Sequence, residues 1–228
     1  MSFLCCCLQS QASEEERQPI LGEAQSARIS HLPPEGFQNR SDRIIARRVG
    51  VPDLDQRFTE FAEMFNKQQE NYECMRERLK TLMHHYRCAP DSSLSDCLQQ
   101  MKVEHYNRQI FLQLKGYDFS LAVTPGDLLP DKLKQTQENI KELCQAAKAI
   151  MSLGPKLEEM INWLLKSEQS LTDKVNAEAK THQESTRLRG NLRENLHEAS
   201  RAKELSPHYR EEAGKLYNEV ARLSGVKP

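Results

Sequence analysis

DLDQRFTEFAEMFNKQQENYECMRERLKTLMHHY, residues 53–86, decides the fold. Its apolar positions step by four and three: Leu54, Phe58, Phe61, Phe65, then Tyr72, Met75, Leu79, Leu82 and Tyr86. Only Gln68 interrupts the heptad. A repeat of about 3.5 residues is close to one helical turn, so these side chains share one face. The spacing predicts a long helix with a narrow apolar seam that needs a partner. Asp53 is its expected N-cap, and Cys88-Ala89-Pro90 its expected stop, because proline cannot continue the hydrogen-bond ladder.

Outward from this stretch the same logic continues with less regularity. Ser92 or Ser95 can cap a second helix reaching about Lys115, with Leu98, Met101, Ile110, Phe111 and Leu114 as its apolar side chains. Residues 53–115 then form a helical hairpin. The stretch GYDFSLAVTPGDLLP, residues 116–130, reads as a loop, although Tyr117, Phe119, Leu121 and Val123 alternate enough for a short strand-like piece. From Asp131 a new seam runs through Leu133, Thr136, Ile140, Leu143, Ala147 and Ile150. It passes Gly154-Pro155 in frame into Leu157, Ile161, Leu164, Leu171 and Val175. Pro155 either kinks one helix or separates two. NAEAKTHQESTR, residues 176–187, is a solvated helical stretch or a frayed point, after which Leu192, Leu196 and Ala199 resume the frame. Ser206-Pro207 carries the signature of a new helix start, opening a last short helix through Ala213, Leu216, Val220 and Leu223. Residues 131–228 are thus a coiled-coil or helical region. The expected fold is all-α, a bundle or extended coiled coil of about five helices behind a disordered tail over residues 1–52.

Composition agrees. Of 228 residues, 38% are hydrophobic, 29% charged and only 6% aromatic, which suits helices with narrow stripes better than a sandwich. The net charge of −1 gives no global attraction to nucleic acid. No window approaches the ~18 consecutive apolar residues of a transmembrane helix. The apolar patch Phe3–Leu8 is shorter than the ~7–15 residues of a secretory h-region, and no basic residue precedes it. The seven cysteines are an odd number and poorly spaced for disulfides, which fits a reducing cytosol. There the sequon Asn39-Arg40-Ser41 stays unmodified.

Cys5, Cys6 and Cys7 lie between Phe3-Leu4 and Leu8. Adjacent thiols beside a weakly inserting patch are what S-acylation needs, and two or three acyl chains make attachment stable where one is marginal. Ser2 rules out N-myristoylation. An incidental cysteine run, or a thiol cluster for a metal, is the alternative; three consecutive cysteines do not readily converge on one tetrahedral ion.

Downstream, RSDRIIARR places Arg40, Arg43, Arg47 and Arg48 against the single acid Asp42. Such a segment is attracted to an anionic leaflet, with Ile44 and Ile45 able to dip into the interface. It reads equally as a linker or as a first half-turn packing on the bundle. Between the two segments, Glu16 stands four residues before Ile20-Leu21. This pattern resembles an acidic dileucine sorting signal, with Ile in place of the usual first Leu. The pairing of cysteine patch and dileucine-like signal resembles the tails of lipid-anchored endosomal and lysosomal scaffolds. That resemblance covers about the first 21 residues.

Signs of catalysis are missing from the sequence. It has no phosphate loop, GxSxG or HExxH, and Glu158-Glu159 and Glu211-Glu212 splay around their helices. His84 and Cys88 sit one turn apart near Cys97, with His105 as a distant fourth candidate, so half a zinc site is conceivable; a polar helix end with buried thiols is the plainer reading. No metal or other cofactor is expected. Phe58, Phe61, Phe65, Tyr72 and Leu79, with Trp163, are the expected helix interface, whether they pack as core within the chain or against a partner; for the Phe58, Phe61 and Phe65 face, core is favoured over a ligand site.

The sequence therefore predicts a non-enzymatic, S-acylated coiled-coil adaptor or scaffold. It would recruit protein partners, or a second copy of itself, to the cytosolic face of endolysosomal or Golgi-type membranes. The alternative is a structural coiled-coil component of a cytoskeletal, centrosomal or ciliary assembly.

Overall fold

A computed structural model describes residues 43–89, 92–126 and 128–225. The decisive seam becomes α1, Pro52–His85. Its N-cap is Val51 rather than Asp53, because Pro52 takes the first helical position, where a missing N–H costs nothing. At its far end Arg87 adopts φ 53° and the Cys88 N–H returns to the Met83 carbonyl at 2.9 Å. The backbone has already turned before Pro90.

α2 spans Leu94–Glu104 and is capped by Ser93, between the two serines the sequence offers. Ser93 and Asp96 form a reciprocal capping box. The helix expected to reach Lys115 stops at Glu104. Residues Gln109–Lys115 are instead strand β1, paired antiparallel with β2, Asp118–Thr124, across the two-residue loop Gly116-Tyr117. Gly116 supplies the positive φ, 63°, that the first loop position requires. Ile110, Leu112 and Leu114 alternate inward opposite Val123, Leu121 and Phe119, a period of two. Phe111, counted as inward on the helical reading, sits on the outer face, 38% exposed.

α3 runs unbroken from Asp131 to Lys166 with Pro155 inside it. α4, Glu168–Glu178, follows directly, and α5 covers His182–Ser224. The polar interval 176–187 is therefore a helix break, recapped when the Thr181 hydroxyl accepts the Glu184 N–H at 3.1 Å. Pro207 does not open a new helix; it lies within α5, which ends where Gly225 takes φ 73°.

α1, α3 and α5 pack on one another, with α4 against α5. The hairpin covers α3 and α5, and α2 fills in beside β1, α5 and α1. The architecture is a five-helix bundle carrying a small two-stranded sheet, so the all-α expectation holds. Side-chain bonds pin the hairpin. The Phe119 N–H donates to Cys144 Sγ at 3.1 Å, Gln137 Nε2 to the Leu121 carbonyl at 3.1 Å, and the Tyr217 hydroxyl to the Tyr117 carbonyl at 3.0 Å.

Both internal prolines belong to one level of the bundle. Arg210, less than one turn after Pro207, lies across Gly154 and pairs with Glu158 at 2.7 Å. From α1, Gln68 Nε2 reaches the Ile150 carbonyl at 3.4 Å. Tyr209 stacks on Tyr72 at 4.3 Å and meets Phe65 at 6.2 Å. Pro155 leaves the Met151 carbonyl without its ladder donor, yet α3 stays helical through this level, where α1 and α5 pack against it.

Candidate interaction surfaces

Residues 43–51, grouped with the tail by composition, form an extended strap laid along α1 and α5. Its backbone is read by side-chain amides. Asn66 accepts the Ile44 N–H and donates to the Ile44 carbonyl, both at 2.8 Å. Asn195 does the same for Arg47, at 2.8 and 2.7 Å, and Asn191 donates to the Arg48 carbonyl at 2.6 Å. Asp55 accepts the Val49 N–H at 2.6 Å. Ile44 and Val49 plug the core, while Arg43, Arg47 and Arg48 stay exposed and Ile45 is 81% exposed. Of the two isoleucines expected to dip into a membrane, Ile44 is thus committed to the bundle, and only Ile45 points away from it. Arg40 lies outside the described residues.

Beside the strap run two shallow grooves that share Gln56. The smaller, about 230 Å³, is lined by Arg47, Arg48, Asp55 and Thr59 among others. The larger, about 390 Å³, is lined by Arg57, Trp163 and Lys174 together with Asp53 and Glu60. Arg57 stacks on the half-buried Trp163 ring, 4.5 Å from its centroid. Trp163 is therefore a shelf at the surface. Phe58, Phe61 and Phe65 are fully buried within the chain, and Tyr72 and Leu79 are half-buried against it. The α1 seam meets its partners inside the chain, on α3 and α5, one of the alternatives its spacing left open.

A second surface escaped the sequence reading. Of the six exposed large hydrophobic side chains among the described residues, Val103, Tyr106, Phe111, Tyr117 and Leu128 all fall between the last turn of α2 and the start of α3. Tyr106 and Leu128 are 88% and 95% exposed. The period-two spacing of Ile110, Leu112 and Leu114 is the signal that places Phe111 on the opposite, outward face.

The zinc reading does not assemble. Among the described residues no group of three or more His, Cys, Asp or Glu side chains converges on a point fit for a metal ion. His84 is exposed, whereas Cys97 is buried. Burial, with the Cys88 thiol beside it, pushes the Cys97 thiol up to about 12, so it stays protonated. Cys88 donates to the Tyr86 carbonyl, and the His105 ring stands edge-on to Tyr86. The paired carboxylates are surface groups: Glu158 meets Arg210, and Glu211 and Glu212 share Lys215 at 3.0 and 2.8 Å.

Cys5, Cys6, Cys7 and the signal residues Glu16, Ile20 and Leu21 lie outside the described residues. Within those described, no helix is long and apolar enough to cross a membrane. No family model, curated protein or solved structure matches the chain.

Proposed function

We propose that this chain is a non-enzymatic scaffold, S-acylated at Cys5, Cys6 and Cys7, which presents its helical body at the cytosolic face of endolysosomal or Golgi-type membranes. The observation that carries the reading is the run of three cysteines between Phe3-Leu4 and Leu8, followed by the Glu16…Ile20-Leu21 pattern. The body supports a scaffold role in a specific way. Its seams are satisfied internally, so it reaches the membrane folded, and protein partners are met through the exposed apolar side chains of residues 103–128 rather than through an open coiled coil.

The test compares wild type with Cys5, Cys6 and Cys7 all changed to Ser in cells, by membrane fractionation and by hydroxylamine-dependent acyl exchange. The expected result is thioester lipid and membrane partitioning in wild type only. Equal solubility without thioester lipid would sink the reading and favour a structural coiled-coil role in a cytoskeletal assembly.

A further inference from the structure

We infer that the outer face of the strap and the adjoining Trp163 shelf form the surface by which the folded body lies against an anionic bilayer. This deepens the tethered-scaffold reading but depends on different residues from the acylated ones. Three observations carry it. First, the strap alternates: Ile44 and Val49 point in and are buried, while Arg43, Ile45, Arg47 and Arg48 point out. Four asparagine and aspartate side chains hold its backbone, so the outward set is fixed in place rather than free to collapse onto the core. Second, the grooves that share Gln56 join this face to Arg57, Lys174 and Trp163. Third, the acids on this surface are already occupied in part, Asp55 by the Val49 N–H and Glu60 by Gln56; Asp53 remains beside Arg57 and Lys174.

The resulting surface combines five cations against three acids, Asp53, Asp55 and Glu60, with one outward isoleucine and a tryptophan whose ring is partly open. That combination matches a bilayer interface, where an indole sits at headgroup level and cations meet lipid phosphates and carboxylates. A net charge of −1 gives the chain as a whole no such attraction, so contact must be directional.

Trp163 is the only tryptophan, and its emission reports this contact alone. The experiment uses the full chain with Cys5, Cys6 and Cys7 changed to Ser, mixed with phosphatidylcholine vesicles with or without phosphatidylserine. The expected result is flotation with the phosphatidylserine vesicles only, a blue shift of Trp163 emission, and loss of both with rising salt. Arg43→Glu, Arg47→Glu and Arg48→Glu together abolish binding without changing the melting curve, since all three side chains are exposed. Single neutral replacements lower it roughly fivefold each. Ile45→Ser weakens it without altering charge, which guards against reading a misfolded charge variant as support. Absence of flotation, or flotation that leaves Trp163 emission unmoved, overturns the inference; so does an equal emission shift from soluble polyglutamate, which would assign the face to an acidic protein. Because the cysteines are absent throughout, failure here leaves the acylation result in cells untouched, and the reverse also holds.

Discussion

Asn195 of α5 holds Arg47 by both of its backbone groups, accepting the N–H at 2.8 Å and donating to the carbonyl at 2.7 Å. The two residues are 148 positions apart, and Asn195 is only 3% exposed. A side-chain amide can mimic one rung of a sheet, and here it stands in for a neighbouring strand. The strap is thereby fastened to α5 by a residue 148 positions away in the sequence, next to where Asn66 and Asp55 fasten it to α1.

Asn195→Ala removes both bonds and leaves the Arg47 amide and carbonyl without partners, at a cost of about 1–3 kcal/mol. Hydrogen exchange of the Arg47 amide should accelerate sharply while the α3 core stays protected. If Arg47 and the core lose protection together, the strap is part of the global folding unit rather than a locally releasable segment.

Cys97 sets a limit at alkaline pH. In the folded chain its thiol holds a proton up to about 12, against an ordinary value of 9.0, through burial first and the neighbouring Cys88 second. The unfolded chain releases that proton earlier, so above about pH 9 the unfolded state binds fewer protons and stability falls as pH rises. Burial raises Tyr86 in the same direction. Urea midpoints should be flat near neutrality and decline at higher pH, with a shallower decline in Cys97→Ala. At pH 8, alkylation should reach Cys74 and Cys88 well before Cys97 and Cys144.

Gly154 is small because Arg210 crosses it. A Cβ there would meet the Arg210 side-chain carbons, which would have to swing aside and release Glu158. Helix propensity alone makes Gly→Ala favourable by about 1 kcal/mol in a helix interior. Gly154→Ala should therefore gain less in wild type than in an Arg210→Ala background, with a coupling of about 0.5–1 kcal/mol in denaturant melts. Strict additivity would show that the crossing carries no energy.

The long helices were legible because their seams repeat over many turns: Leu54 to Tyr86 and Leu133 to Val175 both point inward as the heptad requires. Boundaries were less so. Pro155 and Pro207 look like breaks in isolation, yet both lie inside unbroken helices packed against their neighbours, which a local pattern cannot show. The second strand of the hairpin showed in the alternation of Phe119, Leu121 and Val123, but the first was lost because Ile110, Phe111 and Leu114 satisfy a helical spacing as well as a strand one. The strap was invisible for a different reason. Its partners are three asparagines and one aspartate scattered over α1 and α5, and no local period encodes a bond between residues 47 and 195. Of the surface residues, the arginines were found by charge, but the sequence could not tell that Ile44 turns in while Ile45 turns out.

Gln68 tests whether the polar level in the bundle is stabilising or merely tolerated. It breaks the heptad, is fully buried, makes one long bond to the Ile150 carbonyl and leaves its own carbonyl oxygen without a partner. An unpaired buried acceptor costs about 1–3 kcal/mol, more than a 3.4 Å bond returns. Gln68→Leu keeps the volume and restores the seam, so stability should rise by about 1–2 kcal/mol, or roughly 2–4 °C in Tm for each kcal/mol. A fall instead would mean that the bond from Nε2 to the Ile150 carbonyl is worth more than the unpaired acceptor costs. Gln68→Met, an unbranched apolar chain, separates lost bonding from lost packing. If both apolar variants fall alike, the amide is stabilising; if only the leucine variant falls, its branched shape is at fault.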